Sequence, residues 1–384
     1  MASASFNLAE RADVVVIGGG VIGLSVARAL ALKQIGSVIV LERGQPGRES
    51  SFAAAGMLAP QAEANIADTF FKLSCRSRDL YPALATQLLE ETGIDIELDR
   101  TGTLYCAFTT HDQEEIERRY NWQRQAGLTV EKLTARESRE LEPHLAGSLQ
   151  GALRFPLDTQ VENRKLLDAL IVASEILGVK FLTNTTAESL TVERGRITGV
   201  ATSRGFVSTR NILLASGAWT SFIDTENAAP QIRIEPVRGQ MLCFETQPLL
   251  ARHVIYSPRG YLVPRQDGRL LAGSTTEKAG FNKQVTDSGL QSIRAHATEI
   301  VPTLSRLELI DSWAGLRPRS PDGLPVLGKA GETEGLFFAT GHYRNGILLA
   351  PVTAHLIADL IADNVVSSEL QAFAPDRFAT VSIN

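Results

Sequence analysis

Gly18, Gly20 and Gly23 stand in G-x-G-x-x-G spacing within "GGGVIG", between a short apolar run and a helical pattern. The first glycine of such a turn permits the tight bend, and the second lets a pyrophosphate reach the backbone. The third lets helix and strand pack closely. Unpaired N–H groups at the helix start then face the phosphates. Glu42 ends the next strand-like run, where a carboxylate can accept ribose hydroxyls. Arg43 beside it has two readings, stacking on an adenine or plain solvation. Far along the chain, "ATGHYRNGILLAP" (339–351) sets Arg344 in a glycine-flanked turn ahead of an apolar run. Apolar runs usually begin after a simple polar cap, so a guanidinium there calls for a specific partner.

Composition sets what must hold these groups and what they are not. The 384 residues are 44% hydrophobic and 21% charged, enough for a large core and most naturally two domains. A net charge of −5, with acids and bases interspersed, argues against a nucleic-acid partner. Cys75, Cys106 and Cys243 are scattered without CxxC spacing, so they read as reduced core residues, not a disulfide frame or metal site. "MASASFNLAERAD" lacks the charged head and apolar stretch of a leader. "VVVIGGGVIGL" is broken by glycines, and Pro351, His355 and Asp359 interrupt the C-terminal apolar run, so no membrane span is expected. The default expectation is a soluble cytoplasmic protein.

The fold class expected is α/β. "DVVVI" (13–17), the helix from Val21 and "SVIVLE" (37–42) make a strand–helix–strand unit, with "VKFLT" after the helix at 163–178 as a third parallel strand. Residues 63–149 read as charged amphipathic helices around the strand "TGTLYCAF". Alternation with turns at Arg194-Gly195 and Arg204-Gly205 marks a β-meander over 189–217. Further strands fall in 231–275, followed by a helix at 287–300. The pieces interleave: 11–62, 150–220 and 312–375 form a nucleotide-binding domain, and 63–149 with 221–311 a second, antiparallel domain.

Beyond Glu42, "RGQPGRESSFAAAGMLAPQAEA" carries a run of small residues, Ala53-Ala54-Ala55-Gly56, that lets backbone approach a flat ring. With "NILLASGAW" (211–219), "WAGLRPRSPDGLPVLG" (313–328) and "GHYRNGILLAP" (341–351), it resembles the FAD-dependent D-amino-acid oxidase family. Within that family it is most similar to the glycine oxidases of thiamine biosynthesis, over residues 13 to about 362. The resemblance implies a Rossmann-type FAD-binding domain interleaved with an α+β substrate domain built on an antiparallel sheet, the flavin ring lying at their junction.

Carried over residue by residue, it puts Val21 and Ile22 in the phosphate turn and Glu42 with Arg43 at the adenosine. Ser50 and Ser51 fall on the phosphate side, and Ala55, Gly56 and Met57 against the ring. Ala187 falls at the adenine, and Gly217 belongs to the "SGAW" motif. His342, Tyr343, Arg344, Asn345, Gly346, Ile347 and Leu348 cover the flavin edge, while Arg317, Tyr261 and Arg344 hold the substrate. The implied activity is oxidative deamination of glycine, sarcosine or small D-amino acids, feeding thiamine biosynthesis. Hydride passes from Cα to flavin N5, the imino acid hydrolyses in water, and O2 becomes hydrogen peroxide. The resemblance also implies a homo-oligomer, a tetramer among relatives.

For such a substrate the residue types are apt. A guanidinium offers a carboxylate two parallel N–H donors, and Arg317, rigidly placed before Pro318, suits that clamp. Tyr261 in "GYLVPR" adds a hydroxyl donor, with Tyr256 the weaker candidate. His342 is not needed as a base, since the flavin does the chemistry. Sarcosine-type relatives tether flavin through a late cysteine; here the last cysteine is Cys243, so noncovalent FAD is expected. A quinone-linked D-amino-acid dehydrogenase, a sarcosine-type oxidase and a flavin-binding protein without turnover remain the rival readings. "SPRGY" (257–261) is a departure, because Arg259 there borders the expected substrate site.

Overall fold

A computed structural model describes residues 8–225 and 228–379; the opening residues, where no leader pattern was expected, lie partly outside that range. A six-stranded sheet runs in the order Val326–Lys329, Leu336–Thr340, Ile212–Leu214, Val14–Ile17, Val38–Leu41, Lys180–Leu182. All neighbours pair parallel except the first two. Its central strands are apolar at every position because both faces are covered. Val14, Val16, Val38 and Val40 face a helical layer that includes Val21–Leu32, Asn163–Ile176 and Gly346–Asp363. The alternate residues Val15, Ile17, Ile39 and Leu41 face Leu190, Ile197, Val200 and Val207. Those four belong to a second sheet, whose antiparallel strands Ala187–Glu193, Arg196–Thr202 and Gly205–Ser208 are the expected meander.

An eight-stranded sheet forms the other body, ordered Leu309–Arg319, Glu235–Glu245, Arg269–Gly273, Gly260–Pro264, Val254–Ser257, Thr103–Ala107, Gly151–Phe155, Glu131–Thr134. It is antiparallel but for one pair, Val254–Ser257 with Thr103–Ala107. Helix Asp287–Ile300 lays Ile293, Ala297 and Ile300, one stripe at helical spacing, onto Leu242, Phe244, Leu262 and Leu270 of this sheet.

Packing redraws the expected domain pieces. Strands Gly151–Phe155 and Leu309–Arg319 pair within the eight-stranded sheet, although most of their residues were expected in the nucleotide-binding part. Helix Thr69–Thr92, expected in the other part, sends Leu73, Tyr81 and Leu88 into the helical layer of the six-stranded sheet. Local pattern cannot decide such membership, because an apolar stripe does not say which core it meets.

Helix Gly346–Asp363 is long and apolar enough to cross a membrane, yet 67% of it is buried inside the fold. Pro351 lies inside this helix and leaves the Ile347 carbonyl without its i+4 N–H donor. Helix Thr69–Thr92 repairs the gap. The Tyr81 hydroxyl donates to the Ile347 carbonyl, and Ser77 Oγ donates to Leu348 O at 2.6 Å while accepting from Val352 N at 3.3 Å. Thus the helix whose start lines the cleft is anchored from behind.

Candidate functional site

One cleft, enclosing about 2010 Å³ of space including its open mouth, runs from the glycine turn to the strand that carries Arg317. At the first end Gly18 has φ +113°, and a Cβ there would lie 2.5 Å from the Ala215 carbonyl oxygen. A Cβ on Gly23 would meet Gly18 O at 1.9 Å, so Gly23 shapes the turn from below without lining the cleft. Helix Val21–Leu32 begins at Gly20 with no side-chain cap of its own. Ser51 Oγ accepts from Val21 N at 3.1 Å, which puts hydroxyl and helix start together as an anion cradle.

Glu42 is already at work in this turn. Its two oxygens accept from Gly19 N and Gly44 N, each at 2.9 Å. Arg43, left open between stacking on an adenine and solvation, meets protein groups: its guanidinium carbon lies 3.7 Å from the Trp219 ring centroid, and it pairs with Glu49. Glu42→Lys removes the acceptor and adds a second cation beside Arg43. We expect FAD affinity to fall roughly tenfold or more, the worth of a hydrogen bond to a charged group. Fluorescence titration of the apoprotein checks this, and unchanged affinity would remove Glu42 from the ribose.

The middle of the cleft is a close-packed slot. Gly56 has φ +73°, and a Cβ on it would stand 2.0 Å from Val161 O. Gly315 meets Ala53 so closely that an added Cβ would lie 2.6 Å from the alanine methyl. Trp313 Nε1 donates to Ala53 O at 3.0 Å. Behind the slot lies Arg265, 4% exposed, which sequence reasoning missed. It donates to Ala55 O (2.9 Å), Val161 O (3.0 Å), Gln160 Oε1 (3.0 Å) and Asn163 Oδ1 (3.1 Å), with Glu162 as its counter-charge at 3.3 Å. Small residues face the cleft because a fixed backbone, held by one buried cation, makes its wall.

At the far end Arg317, Tyr261 and Arg344 come together on the wall. Tyr343 N donates to Pro318 O at 2.9 Å, so the two arginines flank one backbone hydrogen bond. Arg317 lies flat over Gly239, where a Cβ would meet its Nη1 at 2.2 Å. It donates from Nη1 to Thr275 O (3.0 Å) and from Nη2 to Ser274 Oγ (2.7 Å). One bond from each terminal nitrogen leaves Nε and a second N–H on each of them for a ligand. The Tyr261 hydroxyl rests on Met241 Sδ at 3.4 Å, a weak acceptor that an anion readily replaces.

Arg344 is held differently. Its Nη2 donates to Glu63 Oε1 and to Tyr256 Oη, both at 3.2 Å. The Glu63 carboxylate raises the Arg344 pKa, while burial raises that of Tyr256. Helix Pro60–Glu63, which presents Glu63, is fixed in turn by Asp158. That fully buried carboxylate accepts from Gln61 N (3.3 Å) and Ala62 N (3.0 Å), and burial pushes its pKa up to about 7. His342 is buried, hydrogen-bonded through Nε2 to Thr353 Oγ1 at 3.1 Å, and burial pushes its pKa down to about 3. It is neutral packing.

Of the expected positions, Gly18, Gly20, Val21, Ile22, Glu42, Arg43, Ser50, Ser51, Ala55, Gly56, Met57, Ala187, Gly217 and His342 through Ile347 line the cleft. Leu348 does not; its side chain is buried in the helical core. Arg259, expected to border the substrate, turns away to pair with Asp112 at 2.8 Å and Glu299 at 2.8 Å. Glu63, Trp219, Phe222, Gly239 and Met241 line the cleft without having been singled out.

A glycine cradle with a helix start, an acid in the turn, a slot of small residues and a cationic far end fit a dinucleotide that carries a flat ring. Comparison with known proteins agrees. The family model "FAD dependent oxidoreductase" matches residues 13–360. The chain is 35% identical to the glycine oxidase of Geobacillus kaustophilus, covering 96% of this chain and 98% of the relative. It is 36% identical over 96% of its length to the bifunctional protein ThiO/ThiG of Synechocystis, of which it spans 54%. The crystal structure of the Geobacillus kaustophilus glycine oxidase superposes with a TM-score of 0.92, at 35% identity and with 96% and 99% of the two chains covered. An L-proline dehydrogenase from P. horikoshii follows the same fold at 25% identity, with a TM-score of 0.85 and 97% and 98% of the chains covered. The chain belongs to the FAD-dependent oxidoreductase family, and FAD is the cofactor its cleft is built to hold.

Proposed function

We propose that this chain is a glycine oxidase: it converts glycine and other small amines or amino acids, sarcosine and small D-amino acids among them, with O2 and water to the 2-oxo acid, ammonia or amine, and hydrogen peroxide. The observation that carries this reading is the guanidinium of Arg317. It is anchored on one side and free on the other, at the end of an FAD-type cleft whose relatives are named glycine oxidases. Bound FAD supplies the acceptor for the hydride leaving Cα. The protein supplies position and charge.

Arg317 takes the substrate carboxylate, and Tyr261 turns its hydroxyl from Met241 to the same group. Arg344 is paired with Glu63, so the uncapped start of helix Gly346–Asp363 is what would set positive potential beside a bound flavin, where negative charge would grow. No side chain is required to remove a proton from Cα, which accords with a buried, neutral His342. The nucleotide-binding unit comprises the six-stranded sheet with its helices and meander, and the eight-stranded sheet forms the substrate unit. The link to thiamine synthesis rests on relatives named ThiO/ThiG. A cytoplasmic location and a homotetramer complete the reading.

The flavin is held without a covalent bond to cysteine, since none of Cys75, Cys106 and Cys243 lines the cleft. Acid precipitation of the purified yellow protein should release all its colour as FAD. Flavin left in the pellet would contradict noncovalent binding.

A further inference from the structure

We propose that Glu63 is a specificity-determining residue: by holding Arg344, it confines the site to substrates with a single carboxylate. The inference rests on the reading that Arg317 receives an amino-acid carboxylate. The two guanidiniums on the wall differ in what they have left to give. A planar guanidinium grips a carboxylate bidentately along either of two edges, Nη1 with Nη2 or Nε with Nη2, so both grips need an Nη2 hydrogen. In Arg344 both Nη2 hydrogens are taken, one by Glu63 and one by Tyr256. In Arg317 one Nη2 hydrogen is spent on Ser274, and the other remains. The wall therefore offers one clamp and one neutralised pair.

Glu63 is a built feature and not a drifting surface acid. Asp158 fixes the backbone of its short helix, and Arg119 Nη1 donates to Ala62 O (3.0 Å) and Ala64 O (2.8 Å) just before and after it. Gln61 is tied to Gln123 Oε1 at 2.9 Å. Tyr256, the second holder of Arg344, is stacked on Tyr105 with centroids 5.6 Å apart, and it leans on Tyr261 at 5.9 Å. Arg119 lies over the Tyr105 ring, 4.6 Å from its centroid. All this framework serves to keep a carboxylate in the cleft wall beside a second arginine. A substrate bringing a second carboxylate meets like charge from Glu63 and finds no free bidentate grip on Arg344. Glycine, with one carboxylate, loses nothing.

The test uses the FAD-loaded protein and two anions that cannot be oxidised, acetate and malonate, titrated by the change they cause in flavin absorbance. In the unmodified protein malonate should bind no more tightly than acetate. In Glu63→Gln the malonate-to-acetate affinity ratio should rise tenfold or more, because Arg344 becomes a second anchor. Adding Arg344→Gln to that variant should abolish the gain. Should Glu63→Gln fail to retain FAD, Glu63→Asp draws the carboxylate back by one methylene and should raise the ratio by a smaller factor. Malonate already favoured tenfold in the unmodified protein overturns the proposal, as does a ratio unmoved in the Glu63 variants or a gain that survives loss of Arg344. Peroxide release from glycine, measured in parallel, reports separately on the oxidase reading. Its absence would sink that reading and leave the anion titration to judge Glu63.

Discussion

Arg317→Ala is expected to lower kcat/KM for glycine by about 30-fold or more. Truncating one partner of a charge-assisted, bidentate contact costs roughly 2–5 kcal/mol, and about 1.4 kcal/mol is a factor of ten. The loss should be similar for D-alanine, which presents the same carboxylate. Arg317→Lys should recover only part of it, because an ammonium lacks the planar fork. Flavin content should stay near that of the unmodified protein, since Arg317 is anchored by Ser274 and Thr275 of the substrate-side sheet's connecting segment and not by the nucleotide turn. Steady-state kinetics with a flavin count reads all of this. Near-normal kcat/KM in the alanine variant would remove the clamp, and loss of flavin would make Arg317 structural.

Arg265→Leu should have the largest effect on stability. Four hydrogen bonds from its guanidinium join Ala55, Gln160, Val161 and Asn163, all within a buried seam between the ring slot and the eight-stranded sheet. Removing one partner of a buried charged network costs about 3–5 kcal/mol, because the remaining polar groups stay buried without their bonds. Glu162 keeps Arg269 at 2.7 Å, so the carboxylate itself is not stranded, which places the expected loss toward the lower part of that range. Denaturant unfolding of the protein is the check. A change below about 1 kcal/mol, the size of an ordinary surface substitution, would show that the seam does not depend on this arginine.

What could be read from the chain alone follows a physical divide. Patterns set by neighbours along the chain were legible. The glycine turn, the parallel strands Val14–Ile17, Val38–Leu41 and Lys180–Leu182, and helix Asp287–Ile300 all lie where local spacing puts them. Arg317, Tyr261 and Arg344 were named through motif resemblance, and the fold gathers them on one wall. Their partners were not legible, because partnership is a long-range event. Glu63 meets Arg344 across 281 positions of sequence, and Arg265 meets Ala55 across 210. A glutamate in "APQAEA" or an arginine in "LVPRQDG" carries no local mark of what it will touch. The same holds for Arg259, whose neighbours in sequence pointed to the substrate and whose side chain pairs with Asp112 and Glu299. Pro351 is a milder case: its place in the helix was plain, but its repair by Tyr81 and Ser77 needed the packed fold.

The most direct test is to give glycine to the FAD-loaded protein in air and measure hydrogen peroxide and glyoxylate together, with sarcosine, D-alanine and D-proline alongside. Oxidation of glycine at the Arg317 clamp predicts peroxide and glyoxylate in equal amounts, formed at a rate that depends on bound FAD. Protein that holds FAD but yields neither product from glycine, and no peroxide from the other three, would contradict an amine oxidase at this site.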